Sequence, residues 1–422
     1  MPTRREFIKQ TAAATIAAAM TGCLARGSKD LPASGAPATL KKSLRIKSII
    51  RRDHTSMMYP CNGDNWHMSW AANDLQYLSL CDGYGLPDHQ TDYYYNSRLL
   101  AIQGGPLGAE FRDVTGYPDL KPKYGDKDVS RYYAFGTLAL DGTIYQFLTD
   151  FNSRAVKLIY SADDGRTWCN QDGTNPVLWN APGEQSRRTM LFFDEPQQAL
   201  GMGMVSIVQM GRGYEHNQDG FVYGYAPREK ANGSAAELHL FRVHKRRILE
   251  RSAYEFFTEH GTDGSARWTR NIEECGPVMS FDRGTWSSAY SWLPSVTYNA
   301  PLGQFMMSTW AWGVAPDREL YEKPSYLGVW VAENPWGPWR QVHEEKEWLP
   351  NNDPAARAYQ PQIAPKWIAP DGKSFWLVWT DYRHNDELFR KLTSPNAENR
   401  ELFYRCLPNY FFNVQRVDIV LG

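Results

Sequence analysis

The sequence predicts an all-β fold of repeated antiparallel units, and three observations carry that prediction. Short apolar segments recur along most of the chain, punctuated by Asp-Gly and Asn-Pro turns, which is the pattern of strands joined by tight connections. Long amphipathic helical patterns are nearly absent. The exception is Arg246 to Phe257, where Ile248, Leu249, Tyr254 and Phe257 predict a short helix. Composition does not shift and no Gly/Ser- or Pro-rich linker interrupts the chain after Lys42, so about 380 residues read as one domain. A β-propeller accommodates that length in a single all-β domain. Strand pattern and length leave five, six or seven blades open.

The predicted strands follow in order. Leu75–Leu80 lies between the turns Asn73-Asp74 and Asp82-Gly83. Phe135–Leu140 ends at Asp141-Gly142, and Ile144–Leu148 and Val156–Tyr160 follow. Further strands are Phe221–Tyr225, Leu238–Val243, Ser295–Tyr298, Gln304–Thr309, Leu327–Ala332 and Ser374–Trp379. After Val156–Tyr160 comes Ser161-Ala162-Asp163-Asp164-Gly165-Arg166-Thr167-Trp168, which fits S-x-D-x-G-x-T-W at every fixed position. This Asp-box is a structural turn that closes a hairpin within a blade. Thr262 to Trp268 is a degenerate copy, and Asn334-Pro335-Trp336-Gly337-Pro338-Trp339 forms a third corner after a strand. Long insertions, Gly104 to Ser130 and Val314 to Ser325, are expected to shape the rim of a cleft.

Charge excludes one class of partner. There are 46 basic and 47 acidic residues and no basic stripe, so nucleic acid is not an expected partner. Aromatic residues make up 14% of the chain, with 16 Trp and 24 Tyr, a surplus suited to packing β-sheets and to stacking on sugars.

The N-terminus reads as an export signal outside the fold. Thr3-Arg4-Arg5-Glu6-Phe7-Ile8-Lys9 has the twin-arginine pattern, and the apolar run Thr11 to Met20 is shorter than the ~20 residues a spanning helix needs. Met20-Thr21-Gly22-Cys23 has the form of a lipobox, making Cys23 the lipidation site. Residues 1–23 are then a signal peptide, 24–42 a flexible tether and 43–422 a single catalytic propeller. The expected location is the cell envelope, lipid-anchored, or the periplasm or medium. The other cysteines, Cys61, Cys81, Cys169, Cys275 and Cys406, form no C-x-x-C pair. A Cys61–Cys81 bridge is an open option.

Chemistry concentrates between Gly63 and Gly85, a stretch holding Asp64, Asp74 and Asp82 with His67, Trp66 and Trp70. Carboxylates at both ends of a strand, next to aromatic rings, combine proton transfer with flat stacking surface. The competing structural reading makes Asp74 and Asp82 turn formers and the tryptophans core.

Several segments together resemble a family of secreted bacterial proteins long labelled a domain of unknown function, some of them endo-D-arabinanases on five-bladed propellers. They are Gly63-Asp64-Asn65-Trp66, Cys81-Asp82-Gly83-Tyr84-Gly85, Asp219 to Tyr223, Phe241 to Leu249, Ser252 to Phe257, Pro294 to Asn299 and the Pro335 to Trp339 turn. The resemblance spans Arg52 to the C-terminus and implies a glycoside hydrolase with Asp64 and Asp82 as its acid/base pair. One departure stands out: the family's T-W-A-D-D-G turn is Ser69-Trp70-Ala71-Ala72-Asn73-Asp74 here, with one carboxylate missing. An inverting hydrolase separates its two carboxyl groups by roughly 6.5–9.5 Å. Trp66, His67, Tyr84, His89, Tyr223 and Arg242 are the candidate substrate contacts, each with a packing alternative.

Two other functions compete with hydrolysis of a polysaccharide. A polysaccharide lyase acting on a uronate polymer would use a His or Tyr (His67, His89, Tyr223) with Arg242 to neutralise the carboxylate. A non-catalytic glycan-binding lipoprotein would use the same aromatics and cleave nothing. No cofactor is expected. The histidines lack the spacing of a catalytic zinc centre, and a structural calcium stays open. The protein is expected to be a monomer that meets a membrane only through its lipid.

Overall fold

The computed structural model describes residues 45–86, 95–118, 131–150, 155–193, 202–228, 237–281, 290–315, 320–382 and 410–422. The signal and tether with Cys23, as well as His89 and Cys406, lie outside the described residues. Within them the chain is a five-bladed β-propeller whose helices are single 3-10 turns.

Each blade is an antiparallel meander. Blade 1 runs Met68–Trp70, Gln76–Gly85, Arg98–Gln103 and Glu110–Asp113. Blade 2 runs Tyr132–Leu140, Thr143–Asp150, Ala155–Ser161 and Cys169–Asn170. Blade 3 begins Ser206–Ile207, Phe221–Arg228, Glu237–His244 and Glu255–His260, with Ala266–Thr269 beyond. Blade 4 is Ser295–Asn299, Gln304–Val314, Leu320–Ala332 and Arg340–Trp348. Blade 5 takes Ala358–Ile363, Ser374–Asp381 and Phe411–Leu421, and its last strand is Ile46–Arg51 from the other end of the chain. Met57–Asp64 then pairs both with Phe411–Leu421 and with Gln76–Gly85, joining blade 5 to blade 1.

The turn chemistry follows the predicted motifs. In the Asp-box, Gly165 N donates to Ser161 Oγ (2.8 Å), Thr167 N to Asp163 Oδ1 (2.9 Å) and Trp168 Nε1 to Gly165 O (3.1 Å). Trp168 is buried and packs edge-on to Tyr117. The degenerate copy joins two strands of blade 3, where Asp263 Oδ1 accepts from Ser265 N and Oγ. The Asn334–Trp339 corner joins the last two strands of blade 4.

Two expectations fail for identifiable reasons. The helix predicted from Arg246 to Phe257 does not form; Arg251–Ala253 is a 3-10 turn and Glu255–His260 a strand. Its apolar residues serve tertiary packing, with Tyr254, Phe256 and Phe257 fully buried and the Tyr254 hydroxyl bonded to Ile248 O, which overrides the helical spacing. The turn expected at Asp82-Gly83 does not form either, since both residues lie within the strand Gln76–Gly85, where Gly83 pairs with Tyr95; Val314 to Ser325 extends a hairpin whose pairing continues to Val314↔Leu320. A third open question is also settled: Cys61 and Cys81 are both free thiols, so no bridge links them.

The blade count rests on the axis. The first strands of the blades stand side by side and are tied in sequence. Ala139 N donates to Ser69 Oγ (2.8 Å), joining blades 2 and 1, and Gln209 Nε2 donates to Thr137 O (3.1 Å), joining 3 and 2. Gln209 N donates to Val296 O (2.8 Å) and Ile363 N to Ser295 Oγ (3.0 Å), joining 3 to 4 and 4 to 5. Lys366 N donates to Gln76 Oε1 (3.1 Å) and closes the ring. At the centre sits His67, 3% exposed, with Thr137 N 3.2 Å from Nδ1 and Ile207 N 3.2 Å from Nε2. Neutral imidazole has one acceptor nitrogen and the imidazolium none, so these amides oppose protonation. Burial pushes the pKa of His67 down to about 3.

His67→Ala is expected to lower stability by about 2–4 kcal/mol, from a cavity plus unsatisfied amides, read as a denaturant midpoint. The depressed histidine value also fixes a sign. The unfolded chain takes up this proton first, so the stabilisation by His67 is complete above pH 6.5 and fades towards pH 3. The wild-type midpoint is therefore expected to fall more steeply than that of His67→Ala as pH drops through that window.

Candidate active site

Asp64 ends the strand that joins blades 5 and 1, directly opposite Cys81. In a regular ladder Asp82 would face the other side of the sheet from Cys81 and Asp64. Its backbone is left-handed (φ 39°), and the register of the pair shifts between Asn62 and Asp64. Such irregularities re-aim side chains, and the two carboxyl groups come within electrostatic reach of each other. Glycine makes the approach possible: a Cβ on Gly83 would lie 2.3 Å from Gly63 Cα and 2.4 Å from Asn62 O. The G-D and D-G dipeptides are thus two halves of one close strand crossing.

Each carboxyl has its own surroundings. Asp64 is 9% exposed, and its Oδ2 accepts from the Tyr359 hydroxyl at 2.9 Å. Burial, and then the charge of Asp82, push its pKa well above the usual carboxylate range, with the Tyr359 bond opposing. Asp82 is half-buried, accepts from Asn96 Nδ2 and feels the positive charge of Arg131. Burial raises it to about 6, against the lowering effect of Asn96 and Arg131. The two groups therefore titrate apart, Asp64 keeping its proton to higher pH, which is how an acid and a base coexist in one site.

An aromatic wall continues from Asp64. Tyr359 lies 5.5 Å from Trp310, which lies 5.4 Å from Trp292 and 5.7 Å from Trp312, ring centre to ring centre. On the other side Tyr359 meets Tyr410 (6.4 Å), which meets Tyr382 (5.5 Å). Trp292, Trp312, Tyr382 and Tyr410 are half-buried and so keep part of their surface open. Asn65, Asp82, Leu293, Gln360 and Tyr410 all have φ between 39° and 64°, and each belongs or is adjacent to this group. Left-handed backbone outside glycine costs energy and gathers where side chains are aimed for function.

The other sequence candidates separate from this cluster. Tyr84 remains near it, half-buried on the Asp82 strand with its amide held by Asn62 Oδ1 (3.0 Å). Trp66 is completely buried edge-on to Phe412 in the core between blades 1 and 5. His67 is committed to the axis. Tyr223 is buried in blade 3 and donates to Asp219 Oδ2 (2.6 Å). Arg242 pairs with Glu255 (2.8 Å) between the rings of Phe221 and Trp268. The His, Tyr and Arg set that a lyase would require is not assembled among the described residues, and burial with Asp219 alongside raises the Tyr223 phenol, the wrong direction for a base. Asp74 belongs to a turn, where it accepts from Trp70 Nε1 and pairs with Lys366. No three His, Cys, Asp or Glu side chains among the described residues are grouped so as to hold a metal ion.

Sequence reasoning missed Tyr359, Asn96, Arg131 and the three tryptophans. Asn96 was visible inside Tyr93-Tyr94-Tyr95-Asn96-Ser97-Arg98, and it reaches Asp82 because Tyr95 and Gly83 bond through both backbone groups (2.7 and 3.0 Å).

Two outcomes follow. Asp64→Asn is expected to raise the thermal midpoint at pH 8, because the folded site makes Asp64 hold a proton that the unfolded chain releases, and the amide has no such cost. A raised carboxylate pKa gives a contribution that grows as pH falls through the folded value, so this gain is expected to shrink between pH 8 and pH 5. Gly83→Ala is expected to cost about 1–3 kcal/mol in a denaturant titration, because backbone must move to admit the methyl group.

Comparison with known proteins adds the following. No curated protein sequence matches the chain. An α-L-arabinofuranosidase from Podospora anserina, solved with cellotriose, is 11% identical with a TM-score of 0.43, over 90% of this chain and 96% of that one. The catalytic domain of a Coprinopsis cinerea α-L-arabinofuranosidase is 10% identical with a TM-score of 0.39, over 91% and 94%. A thermostable family-43 glycoside hydrolase is 13% identical with a TM-score of 0.41, over 85% and 89%. Residues 136–386, more than half of the sequence, match the family described as Domain of unknown function (DUF4185), and the chain belongs to that family.

Proposed function

We propose that the protein is a glycoside hydrolase that cleaves a polysaccharide, with an arabinan as the first polymer to test. The observation that carries this reading is the Asp64–Asp82 pair, two carboxyl groups with separated proton affinities beside an open aromatic wall. Protonated Asp64 gives its proton to the oxygen of the leaving sugar as the glycosidic bond breaks. Asp82, the more exposed of the two, takes a proton from the water whose oxygen bonds to the anomeric carbon. One water is consumed, and solvent exchange resets the two carboxyl groups. Tyr359 fixes the Asp64 carboxyl, and Asn96 with Arg131 holds Asp82 ionised. Trp292 and Trp312 offer ring faces for sugars on one flank, Tyr382 and Tyr410 on the other. With a twin-arginine leader ending at Cys23, the enzyme would act outside the cytoplasm on a lipid tether.

The test is a cleavage screen of the chain from Leu24 onward against arabinans and uronate-rich polysaccharides, recording reducing ends and unsaturated-product absorbance together. New reducing ends without absorbance are expected, with Asp64→Asn and Asp82→Asn each lowering kcat by a factor of about 100 to 10,000. Absorbance that rises with the reducing ends would point to elimination and contradict the pair. Trp292→Ala is expected to raise KM by about tenfold with a smaller effect on kcat, as loss of one stacking face would.

A further inference from the structure

Where blade 2 meets blade 3, away from the Asp64 cluster, a cavity of about 420 Å³ is lined by four cationic residues, Lys157, Arg187, Arg188 and Arg251. Asp172 is the one carboxylate in that lining, and it is engaged by Thr174 N (3.1 Å) and Thr174 Oγ1 (2.6 Å). Lys157 lies on Ala155–Ser161, is 3% exposed, and gives one hydrogen bond, to Asn180 Oδ1 at 3.2 Å. An ammonium has three donors, and the other two meet no described acceptor. Arg251 is half-buried, with its guanidinium 5.0 Å over the Phe192 ring and 5.4 Å over Phe256. Those rings hold it in place without neutralising it. Among the described residues neither Lys157 nor Arg251 forms an ion pair.

Buried cations that form no ion pair are costly, and although the Asp172 charge favours the Lys157 ammonium at longer range, a fold that keeps two such cations beside a cavity gains from an anion placed there. The cavity exceeds what a bare oxyanion fills and lies in the size range of small-molecule sites. We propose that this cavity is an anion-binding site for a phosphate- or sulfate-bearing ligand of sugar size, with Lys157 and Arg251 as its floor and Arg187 and Arg188 at its rim. Guanidinium forks and an ammonium recognise tetrahedral oxyanions by charge-assisted hydrogen bonds, and the bound group supplies the acceptors that Lys157 lacks. Burial pushes Lys157 down to about 8 with the Asp172 charge opposing, and a bound anion would favour the ammonium form further. This site does not depend on the hydrolase reading, since none of its residues belongs to the Asp64 cluster.

Isothermal titration of the full chain with inorganic phosphate, inorganic sulfate, glucose 6-phosphate and glucose, in chloride buffer, tests the proposal. Phosphate and sulfate are expected to bind, glucose 6-phosphate more tightly with a dissociation constant below about 1 mM, and glucose not at all. Lys157→Met and Arg251→Gln are each expected to weaken binding by about tenfold or more. Lys157→Met is expected to keep or raise the melting temperature without ligand, which separates lost binding from lost folding. The exposed Arg188→Gln gives a second route, with a loss of about threefold, and Asp172→Asn is expected to tighten binding by a similar factor. Absence of binding by every phosphate or sulfate probe, or affinity unchanged in all three cation variants, overturns the site. Equal affinity for phosphate and glucose 6-phosphate overturns the sugar-sized ligand.

Discussion

Five strands that converge on one axis cannot all be satisfied by an ordinary ladder, and the structure depends on how that deficit is met. Neighbouring first strands share few backbone bonds, so side chains supply acceptors: Ser69 to Ala139, Ser295 to Ile363, Gln76 to Lys366 and, at the centre, the one acceptor nitrogen of His67 to Thr137 or Ile207. A buried amide left without an acceptor costs about 1–3 kcal/mol. A ring of such amides makes the polar belt as decisive for closure as the apolar layers between blades. The end-to-end pairing of Ile46–Arg51 with Phe411–Leu421 completes the same closure at the periphery.

The candidate site grows out of that closure. Met57–Asp64 is shared between blades 5 and 1, so the strand that ends in Asp64 is fixed from both sides. The cluster around Asp64 collects Asp82 from blade 1, Trp310 and the neighbouring Trp292 from blade 4 and Tyr359 from blade 5. Left-handed residues cluster here because regular strands would turn alternate side chains away. Stability is thus traded for aim, in the like-charged pair and in the backbone alike.

Much of the fold was legible in local signals. Strand runs, most Asp-Gly turns and the Asp-box depend on short-range chemistry, and the observed strands contain nearly all the predicted ones, as Tyr132–Leu140 contains Phe135–Leu140, while Gln76–Gly85 begins one residue after the expected Leu75 and runs through the expected Asp82-Gly83 turn. Arg246 to Phe257 misled because residues three and four apart can also be gathered by a turn and a strand buried on both faces. At the site, Asp64 and Asp82 were visible through the glycines beside them. Tyr359 was not, because the sequence separation of 295 between it and Asp64 is bridged only by closure of the ring. Trp66 and His67 drew attention as neighbours of Asp64 in sequence, yet one belongs to the core and the other to the axis, since consecutive residues at a bend face different surroundings. Composition announced the aromatic surplus without saying which rings would gather beside Asp64.

The central claim is that Asp64 and Asp82 work as a pair whose proton affinities are set apart by the deep burial of Asp64 beside the Asp82 charge on one side and by Asn96 and Arg131 on the other. The pH dependence of kcat/KM on a cleaved glycan tests it most directly. The account predicts a bell whose acidic limb lies near pH 6, set by Asp82, and whose alkaline limb is set by Asp64. It also predicts that Asn96→Ala moves the acidic limb upward, because that side chain favours the ionised Asp82. A profile flat from pH 5 to pH 8, or an acidic limb that Asn96→Ala leaves in place, would contradict it.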